Sequence, residues 1–368
     1  MNDGKRIEIG LVLQGGGALG AYEWGAITAL LDRMDESERT RGNTVVLTGV
    51  SGVSIGAINA SCLVGSADRD DARNRLRRLW EYLRLDVSQL LPTQVQRDLS
   101  LFGLPGFFRP RTDVWNAPIW TNVYDTHPLL GTLREHVDFT ALNSSSTALT
   151  LTAVEVTSGR LTRFRNPIGS KLADEPPLID EIKPEHILAS GSLAPQFPWV
   201  QLGSSHYWDG GLVDNAPLGD AIDSFSDDPD VERLLVVMNL YPLRARLPGN
   251  LAEVQDRVHE LSFGNRLRQD SKTAERVNRL VSTIDELAEL VPTDAMPERL
   301  RREVERTRLF KVVTVVDIDM QNPAAGPTSS AQNPVDDTEG LRDFSARTVE
   351  FRRSAGYRIA AEKLADYL

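Results

Sequence analysis

Hydrophobic and polar positions near the start of the chain form two successive strand, turn and helix units. Arg6–Gln14 is a short β-rich run that leads through glycines into residues 18–34, where the apolar spacing is helical. A second apolar run, Thr44–Val50, leads through a turn at Ser54 into a helix of small residues, Gly56–Gly65. Strands that alternate with helices in this way predict a parallel sheet that is covered on both faces.

The middle of the chain alternates between regular and irregular patterns. Asp71–Arg84 predicts an amphipathic helix with an arginine-rich outer face. Residues 90–128 contain prolines, glycines and aromatics without a clear period, and they predict an irregular cover segment. Residues 147–164 alternate around a Ser-Gly turn, which predicts two strands in a hairpin. Glu185–Val200 predicts a short helix that ends in a proline-containing loop.

The last third of the chain continues the α/β pattern around a charged segment. Val231–Pro242 and Phe310–Met320 are strongly apolar and predict buried central strands. Residues 251–309 lie between them and predict an insertion of two or three helices. A polar loop is predicted over Gln321–Glu339, followed by a final helix within Leu341–Leu368.

Length and composition narrow the class of protein. With 368 residues, of which 41% are hydrophobic and 25% charged, the chain suits one large α/β domain or two smaller ones; we expect a single domain over residues 1–368, with residues 310–368 as its C-terminal strand and helix. The net charge of -11 argues against a nucleic-acid partner. Cys62 is the single cysteine, so no intrachain disulfide forms.

The chain shows no pattern of a targeting or membrane-spanning segment. The apolar stretch at the N-terminus is too short for a signal peptide, and no run reaches the roughly 18 to 20 apolar residues that a membrane span requires. We therefore expect a cytoplasmic protein whose contact with lipid, if any, is peripheral. No group of His, Cys and carboxylate residues has metal-ligand spacing, so no metal is expected.

The glycine-rich loop Gly15–Gly20 satisfies GxGxxG and has two interpretations. A dinucleotide-binding fold requires an acidic residue at the end of the second strand, but Asp32 and Asp35 fall at the end of the first helix instead. In the other interpretation, the glycine N–H groups point into a cavity and stabilise a developing negative charge. That arrangement needs a nucleophile opposite the loop.

A candidate nucleophile lies in the next turn. Gly52 to Gly56 read GxSxG, the strand-to-helix turn that exposes the central serine, here Ser54. The two glycines relieve backbone crowding around it. The alternative is that Ser54 only caps the following helix. Ser51, which precedes the motif, is interpreted as a structural turn residue.

A serine hydroxyl needs a base to accept its proton, and the best candidate is a carboxylate. Asp209 stands between a predicted strand and the pair Gly210-Gly211, which permits close approach of a neighbouring strand. The alternative is that Asp209 only shapes its own turn. Asp214 is a second candidate, but its sequence setting is more typical of a residue that shapes a turn or caps a helix. Of the five histidines, only His259 follows Asp209 in the order of an α/β-hydrolase, and it lies on a charged helix.

Four ordered segments, "GGGALGAYEWG", "GVSIGAINA", "LASGSLAPQFPWV" and "YWDGGLVDNAPL", resemble the patatin-like phospholipases across roughly Ile7–Leu240. The resemblance implies a three-layer α/β/α fold with a mainly parallel central sheet. It also implies a Ser/Asp dyad in which Ser54 is the nucleophile and Asp209 the base. By the same resemblance the oxyanion hole is Gly15, Gly16 and Gly17, and the supporting glycines of the motifs are Gly20, Gly52, Gly56, Gly210 and Gly211.

The resemblance implies a serine lipid acyl hydrolase of the phospholipase A or esterase type that uses no cofactor. A non-catalytic patatin-like lipid-binding or scaffold protein is the alternative. Two positions bear on this choice: Leu19 stands where the family commonly has Arg or Lys, and Ile55 is bulky beside Ser54. Phospholipid, lysophospholipid, neutral glyceride and artificial esters all remain open as substrates, and so does the oligomeric state.

The apolar and aromatic residues of the cover segment have three interpretations. They could cover an acyl-chain channel, or they could form a surface that touches a membrane. In the third interpretation they belong to the core beneath a long loop. The residues concerned are Phe102, Phe107, Phe108, Trp115, Ile119 and Trp120.

Overall fold

The computed structural model describes residues 4–86, 95, 99–173, 177–241, 247–249, 251–291, 296–307, 311–320 and 341–368. Its strands are β1 (Arg6–Leu13), β2 (Thr44–Gly52), β3 (Arg109–Pro110), β4 (Tyr124–Asp125), β5 (Ala148–Glu155), β6 (Leu161–Arg165), β7 (Val200–Leu202), β8 (Ser205–Asp209), β9 (Glu232–Asn239) and β10 (Thr314–Asp319). Its helices are α1 (Gly20–Arg41), α2 (Ile55–Val64), α3 (Arg69–Leu83), α4 (His127–His136), α5 (Phe139–Ser144), α6 (Pro167–Leu172), α7 (Pro184–Ser190), α8 (Leu218–Ile222), α9 (Leu251–Glu289), α10 (Glu298–Thr307) and α11 (Ala346–Leu364).

The larger sheet has eight strands in the order β10-β9-β1-β2-β5-β8-β7, with β6 paired to β5. From β10 to β5 the neighbouring strands are parallel. The pairs of β5 with β6, of β5 with β8 and of β7 with β8 are antiparallel. The central sheet is therefore mainly parallel, as the sequence predicts, and the predicted hairpin is β5 with β6.

Hydrophobic residues cover both faces of this sheet. In β9, Leu234 and Val236 belong to the larger core cluster together with the apolar residues of α1. Leu235 and Val237, which alternate with them, belong to a smaller cluster with Phe225 after α8. Successive side chains of a strand point to opposite faces, so the fold has three layers, with helices on both sides of the sheet.

The C-terminal helix α11 packs tightly against α1 because each helix contributes a glycine to the contact. A Cβ atom on Gly25 of α1 would collide with the carbonyl oxygen of Arg353, and one on Gly356 of α11 would collide with that of Tyr22. Only hydrogen atoms fit at these two positions. The two backbones therefore approach each other more closely than larger side chains allow.

The structure corrects two of the predictions. The strand predicted within Phe310–Met320 is β10, which lies at the edge of the sheet rather than at its centre. Both faces of a covered parallel sheet are apolar, so an apolar run does not distinguish an edge strand from a central one. The irregular segment also ends earlier than predicted, because α4 begins at His127. The loop predicted over Gln321–Glu339 lies outside the described residues.

The charged segment after Leu251 forms two helices, α9 and α10, as predicted. At 39 residues, α9 is the longest helix that the structure describes. Neither α9 nor any other helix in the described ranges combines the length and the apolarity needed to cross a membrane.

Candidate active site

The turn between β2 and α2 holds Ser54 in a backbone conformation that favours glycine. Its φ of 56° is the only positive φ of a non-glycine residue in the described part of the chain, and such conformations concentrate at functional turns. A Cβ atom on Gly52 would lie 2.6 Å from the carbonyl oxygen of Gly56, and one on Gly56 would lie 2.5 Å from that of Leu13. The backbone N–H of Ser54 donates to Ser190 Oγ at 3.1 Å. The side chain of Ser54 makes no capping hydrogen bond to α2.

Sheet pairing brings Asp209 to this turn. Strand β5 pairs Leu151 with Gly52 of β2 and, two residues later, pairs Ala153 with Asp209 of β8. One strand thus aligns the start of the serine turn with the end of β8. The close approach also requires Gly210, because a Cβ atom there would lie 2.5 Å from the carbonyl oxygen of Thr152.

Asp209 is buried and lines the same cavity as Ser54. Burial raises the pKa of Asp209 to about 7, while hydrogen bonds from the Gly211 amide and from the Ser54 side chain act in the opposite direction. The Gly211 amide donates to Asp209 Oδ1 at 2.8 Å. The Asp side chain therefore shapes its own turn, and it also lies in the same cavity as Ser54.

The glycine loop after β1 is fixed by two residues that the sequence analysis did not single out. The Gly15 amide donates to Asn215 Oδ1 at 3.0 Å, and Asn215 Nδ2 donates to the Gly15 carbonyl oxygen at 3.1 Å. Tyr241 Oη donates to that same oxygen at 2.6 Å. Within the described residues, the amides of Gly16 and Gly17 have no acceptor. These two N–H groups remain available to a ligand, whereas the Gly15 amide is occupied.

Two bulky residues near the loop are packed into the core. Leu19 is only 3% exposed and does not line the cavity described below. Ile55 is also buried, and it contacts Gly20 so closely that a Cβ atom on this glycine would collide with it. Ile55 still lines the cavity beside Ser54. Gly20 therefore lets Ile55 pack beneath the loop.

Ser54, Asp209 and the glycine loop open onto a cavity of about 300 Å³. Its walls are largely apolar, and they include the aromatic residues Phe107, Phe108, Tyr124, Phe197, Tyr241, Phe263 and Phe344. Apolar walls with a few polar groups at one end suit a ligand with a hydrocarbon chain. The cavity lies where the parallel strands β1, β2 and β9 end, which is where open α/β sheets bind ligands.

The apolar residues of the cover segment differ in their exposure to solvent. Phe107 and Phe108 are buried and line the cavity. Phe102, Trp115 and Ile119 are exposed, at 75%, 76% and 76%. The segment therefore contributes both to the wall of the cavity and to an apolar outer surface.

The structure also places three other residues that were considered in the sequence, Asp214, Ser51 and His259. Asp214 shapes its own turn, since its Oδ1 accepts from the Ala216 amide at 3.2 Å. Ser51 Oγ donates to the Pro217 carbonyl oxygen at 2.9 Å. His259, on α9, lines the cavity, and its buried Nδ1 has no hydrogen-bond partner in the described part of the chain. In the sequence, only the position of His259 after Asp209 suggested that this histidine could belong to the site.

Comparisons with individual known proteins give only distant similarity. A search of the curated proteins found no significant match. Among solved structures, VipD from Legionella pneumophila is 14% identical with a TM-score of 0.38, and covers 99% of this chain and 67% of its own. The ExoU–SpcU complex from the type III secretion system of Pseudomonas aeruginosa is 14% identical with a TM-score of 0.29, at 83% and 58% coverage. Similarity at this level carries no argument.

The family comparison covers the part of the chain that builds the site. The model of the patatin-like phospholipases matches residues 11–222, more than half of the 368 residues. The match includes the glycine loop, the serine turn and Asp209. This chain therefore belongs to the patatin-like phospholipase family.

Proposed function

We propose that the chain is a serine lipid acyl hydrolase that cleaves carboxylic esters of lipids through Ser54 and Asp209. Family membership supports a lipid hydrolase in general. The observation that carries the finer assignment is that Ser54, in its strained turn, and the buried Asp209 line one largely apolar cavity together with the glycine loop. A carboxylate with a pKa of about 7 is a stronger base than an ordinary Asp and is still ionised in a large fraction of molecules near neutral pH.

The proposed reaction has two steps. Ser54 Oγ forms a bond to the ester carbonyl carbon while its proton passes to Asp209. The C–O bond to the alcohol then breaks, and Asp209 returns the proton to the leaving oxygen. In the second step Asp209 accepts a proton from water, whose oxygen attacks the carbonyl carbon of the acyl-serine. The bond from that carbon to Ser54 Oγ then breaks, and Asp209 returns the proton to Ser54 Oγ, which releases the fatty acid and restores both side chains.

The glycine loop would stabilise the oxyanion that forms in each step. Its predicted donors are Gly15, Gly16 and Gly17, and the free amides of Gly16 and Gly17 support the assignment of these two. The Gly15 amide is held by Asn215. We therefore assign Gly15 to fixing the loop and Gly16 and Gly17 to binding the oxyanion.

A fluorophosphonate ester tests this function, because it phosphonylates only an activated serine. We expect stoichiometric labelling that peptide mass spectrometry locates at Ser54, together with hydrolysis of a short-chain nitrophenyl ester. Ser51→Ala is the matched control and should label normally, since Ser51 Oγ donates to the Pro217 carbonyl oxygen and Ser51 does not line the cavity. A folded protein that is neither labelled nor active would instead favour the non-catalytic lipid-binding alternative.

We further propose that the apolar outer surface of the cover segment touches a lipid interface. The six residues Val114–Ile119 form a 3₁₀ turn in which every residue is exposed, Trp115 and Ile119 among them. The same segment supplies Phe107 and Phe108 to the cavity. A lipid surface that covers this turn would therefore lie close to the path into the cavity.

Removing the exposed apolar side chains should weaken the contact with lipid. We expect Trp115→Ser combined with Ile119→Ser to reduce binding to phosphatidylcholine vesicles about tenfold in co-sedimentation, because two apolar side chains no longer leave water. Leu290→Ser is the control: Leu290 is also exposed but lies just beyond the far end of α9, about 40 Å along the helix from Phe263. Equal binding by both variants would rule out this surface.

A further inference from the structure

The cavity contains one cation that the proposed reaction does not use. Arg342 is the only arginine or lysine among the described residues that line it. Its side chain is exposed and forms no ion pair with any described residue. Many other arginines of this chain have carboxylate partners, for example Arg69 with Glu38 and Arg73 with Asp32. In a protein with a net charge of -11, a guanidinium that has no carboxylate partner among the described residues suggests a partner that arrives from outside.

The backbone around Arg342 is fixed between the glycine loop and the cover segment. The Ala18 amide donates to the Leu341 carbonyl oxygen at 2.9 Å, and a Cβ atom on Gly17 would collide with that same oxygen. On the other side, Ser100 Oγ donates to the Arg342 carbonyl oxygen at 2.7 Å. Arg342 therefore follows directly after the residue that contacts the glycine loop.

The next aromatic residue anchors the same segment in the core. Phe344 is 2% exposed, with its ring centroid 5.8 Å from that of Phe107 and 6.3 Å from that of Trp80. Its amide donates to the Arg342 carbonyl oxygen at 3.1 Å. The main chain of Arg342 is thus held in place, while its side chain remains free to contact a ligand.

We propose that Arg342 binds the phosphate of a lipid head group, so that the substrates are glycerophospholipids or lysophospholipids rather than neutral glycerides. This inference rests on the proposed function. A guanidinium forms paired, charge-assisted hydrogen bonds with phosphate oxygens. In a glycerophospholipid the phosphate lies only a few bonds from the ester carbonyl. A substrate with that carbonyl at Ser54 and its acyl chain along the aromatic residues would have its head group near the same cavity that Arg342 lines.

The kinetic test compares two lipids that carry the same fluorescent acyl chain, a glycerophospholipid and a diacylglycerol. We expect Arg342→Gln to lower kcat/KM for the phospholipid at least tenfold and to change that for the diacylglycerol less than twofold. Arg342→Lys should recover part of the loss, because it keeps the charge but not the fork. Arg347→Gln is the matched control, since Arg347 is exposed on α11 and does not line the cavity. Equal losses on both lipids would overturn the inference.

A binding measurement separates this inference from the proposed function. In the Ser54→Ala background, calorimetry should show that dodecyl phosphate binds at least tenfold more weakly when Arg342→Gln is added. This result would support the head-group site even if the wild-type chain hydrolysed no ester. Unchanged affinity would overturn it even if hydrolysis were confirmed. Inorganic phosphate should bind far more weakly than dodecyl phosphate, and equal affinity would indicate a site for free anions and refute the lipid assignment.

Discussion

Replacing Asp209 by Asn is expected to lower kcat/KM for ester hydrolysis about 10³-fold, because an amide cannot accept the proton of Ser54. The substitution keeps the size of the side chain and keeps an oxygen for the hydrogen bond from the Gly211 amide, which is 2.8 Å long in the wild type. The loss should therefore appear in catalysis and not in folding. Initial rates on a nitrophenyl ester, with circular dichroism of each variant, measure both.

The matched control for this prediction is Asp214→Asn, which makes the same chemical change five residues away. Asp214 bonds to the Ala216 amide and does not line the cavity, so activity should stay within about twofold of the wild type. His259→Gln addresses the rival base, since His259 does line the cavity. An active Asp209→Asn variant combined with an inactive His259→Gln variant would transfer the role of base to the histidine.

The pH profile is a second readout of the same residue. Asp209 must be ionised to accept a proton, and burial raises its pKa to about 7. We therefore expect kcat/KM of the wild type to rise with pH through about 7 and to level off above it. An ordinary Asp, ionised above about 4, would give a flat profile from pH 5 upward, and that result would contradict the assignment.

One other buried carboxyl group titrates in a nearby range and needs its own control. Burial raises the pKa of Glu23 to about 8, against hydrogen bonds from the Asn59 side chain and the Gln14 backbone. Glu23 belongs to α1, does not line the cavity and accepts from Asn59 Nδ2 at 2.9 Å. The midpoint of the profile should therefore be the same in Glu23→Gln, provided that the variant folds.

Replacing Gly25 by Ala is expected to lower the free energy of unfolding by about 3 kcal/mol, because the new methyl group would overlap the backbone of α11 at Arg353. Backbone cannot rotate away as a side chain can, so the helices α1 and α11 must separate. Urea unfolding followed by circular dichroism measures the change from the shift in midpoint.

Gly131→Ala is the matched control for the helix contact. Gly131 lies within α4, and a Cβ atom there would have no neighbour within 4 Å. This substitution should stabilise the protein by about 0.5 to 1 kcal/mol, since alanine loses less backbone entropy in a helix. If Gly25→Ala were as stable as the wild type, the tight packing of the two helices would be refuted.

The helix contact also bears on domain organisation. We propose that residues 1–368 form one catalytic domain, with the cover at 90–128, the helices at 251–309 and the strand and helix at 310–368 as parts of it. The family match ends at residue 222. Strands β9 and β10 nevertheless continue the sheet beside β1, and α11 packs on α1. If the Gly25→Ala substitution destabilised the sheet together with helices α1 and α11, that result would support this proposal.

The sequence by itself determined the local parts of the molecule. The strand, turn and helix units around Gly15–Gly20 and Ser54 follow from apolar spacing and glycine positions within about ten residues of chain. The same holds for the hairpin of β5 with β6 and for α7. The glycine requirement is equally local at Gly52, since the colliding atoms belong to Gly56 and Ala57 of the same turn, whereas at Gly56 the colliding atoms belong to the end of β1 and depend on the tertiary structure. The pattern of neighbours specifies such features, because their backbone geometry is set by residues close in sequence.

Only the tertiary structure decided which distant residues meet. The register of β5 aligns Gly52 with Leu151 and Asp209 with Ala153. Sheet order places β10 at an edge. Asn215 fixes Gly15 from 200 positions away, and Arg342 reaches the cavity from the segment before the last helix. Contacts of this kind depend on sheet pairing and helix packing. The residues on either side of each contact do not specify its distant partner, so periodicity and motif spacing could not predict these contacts.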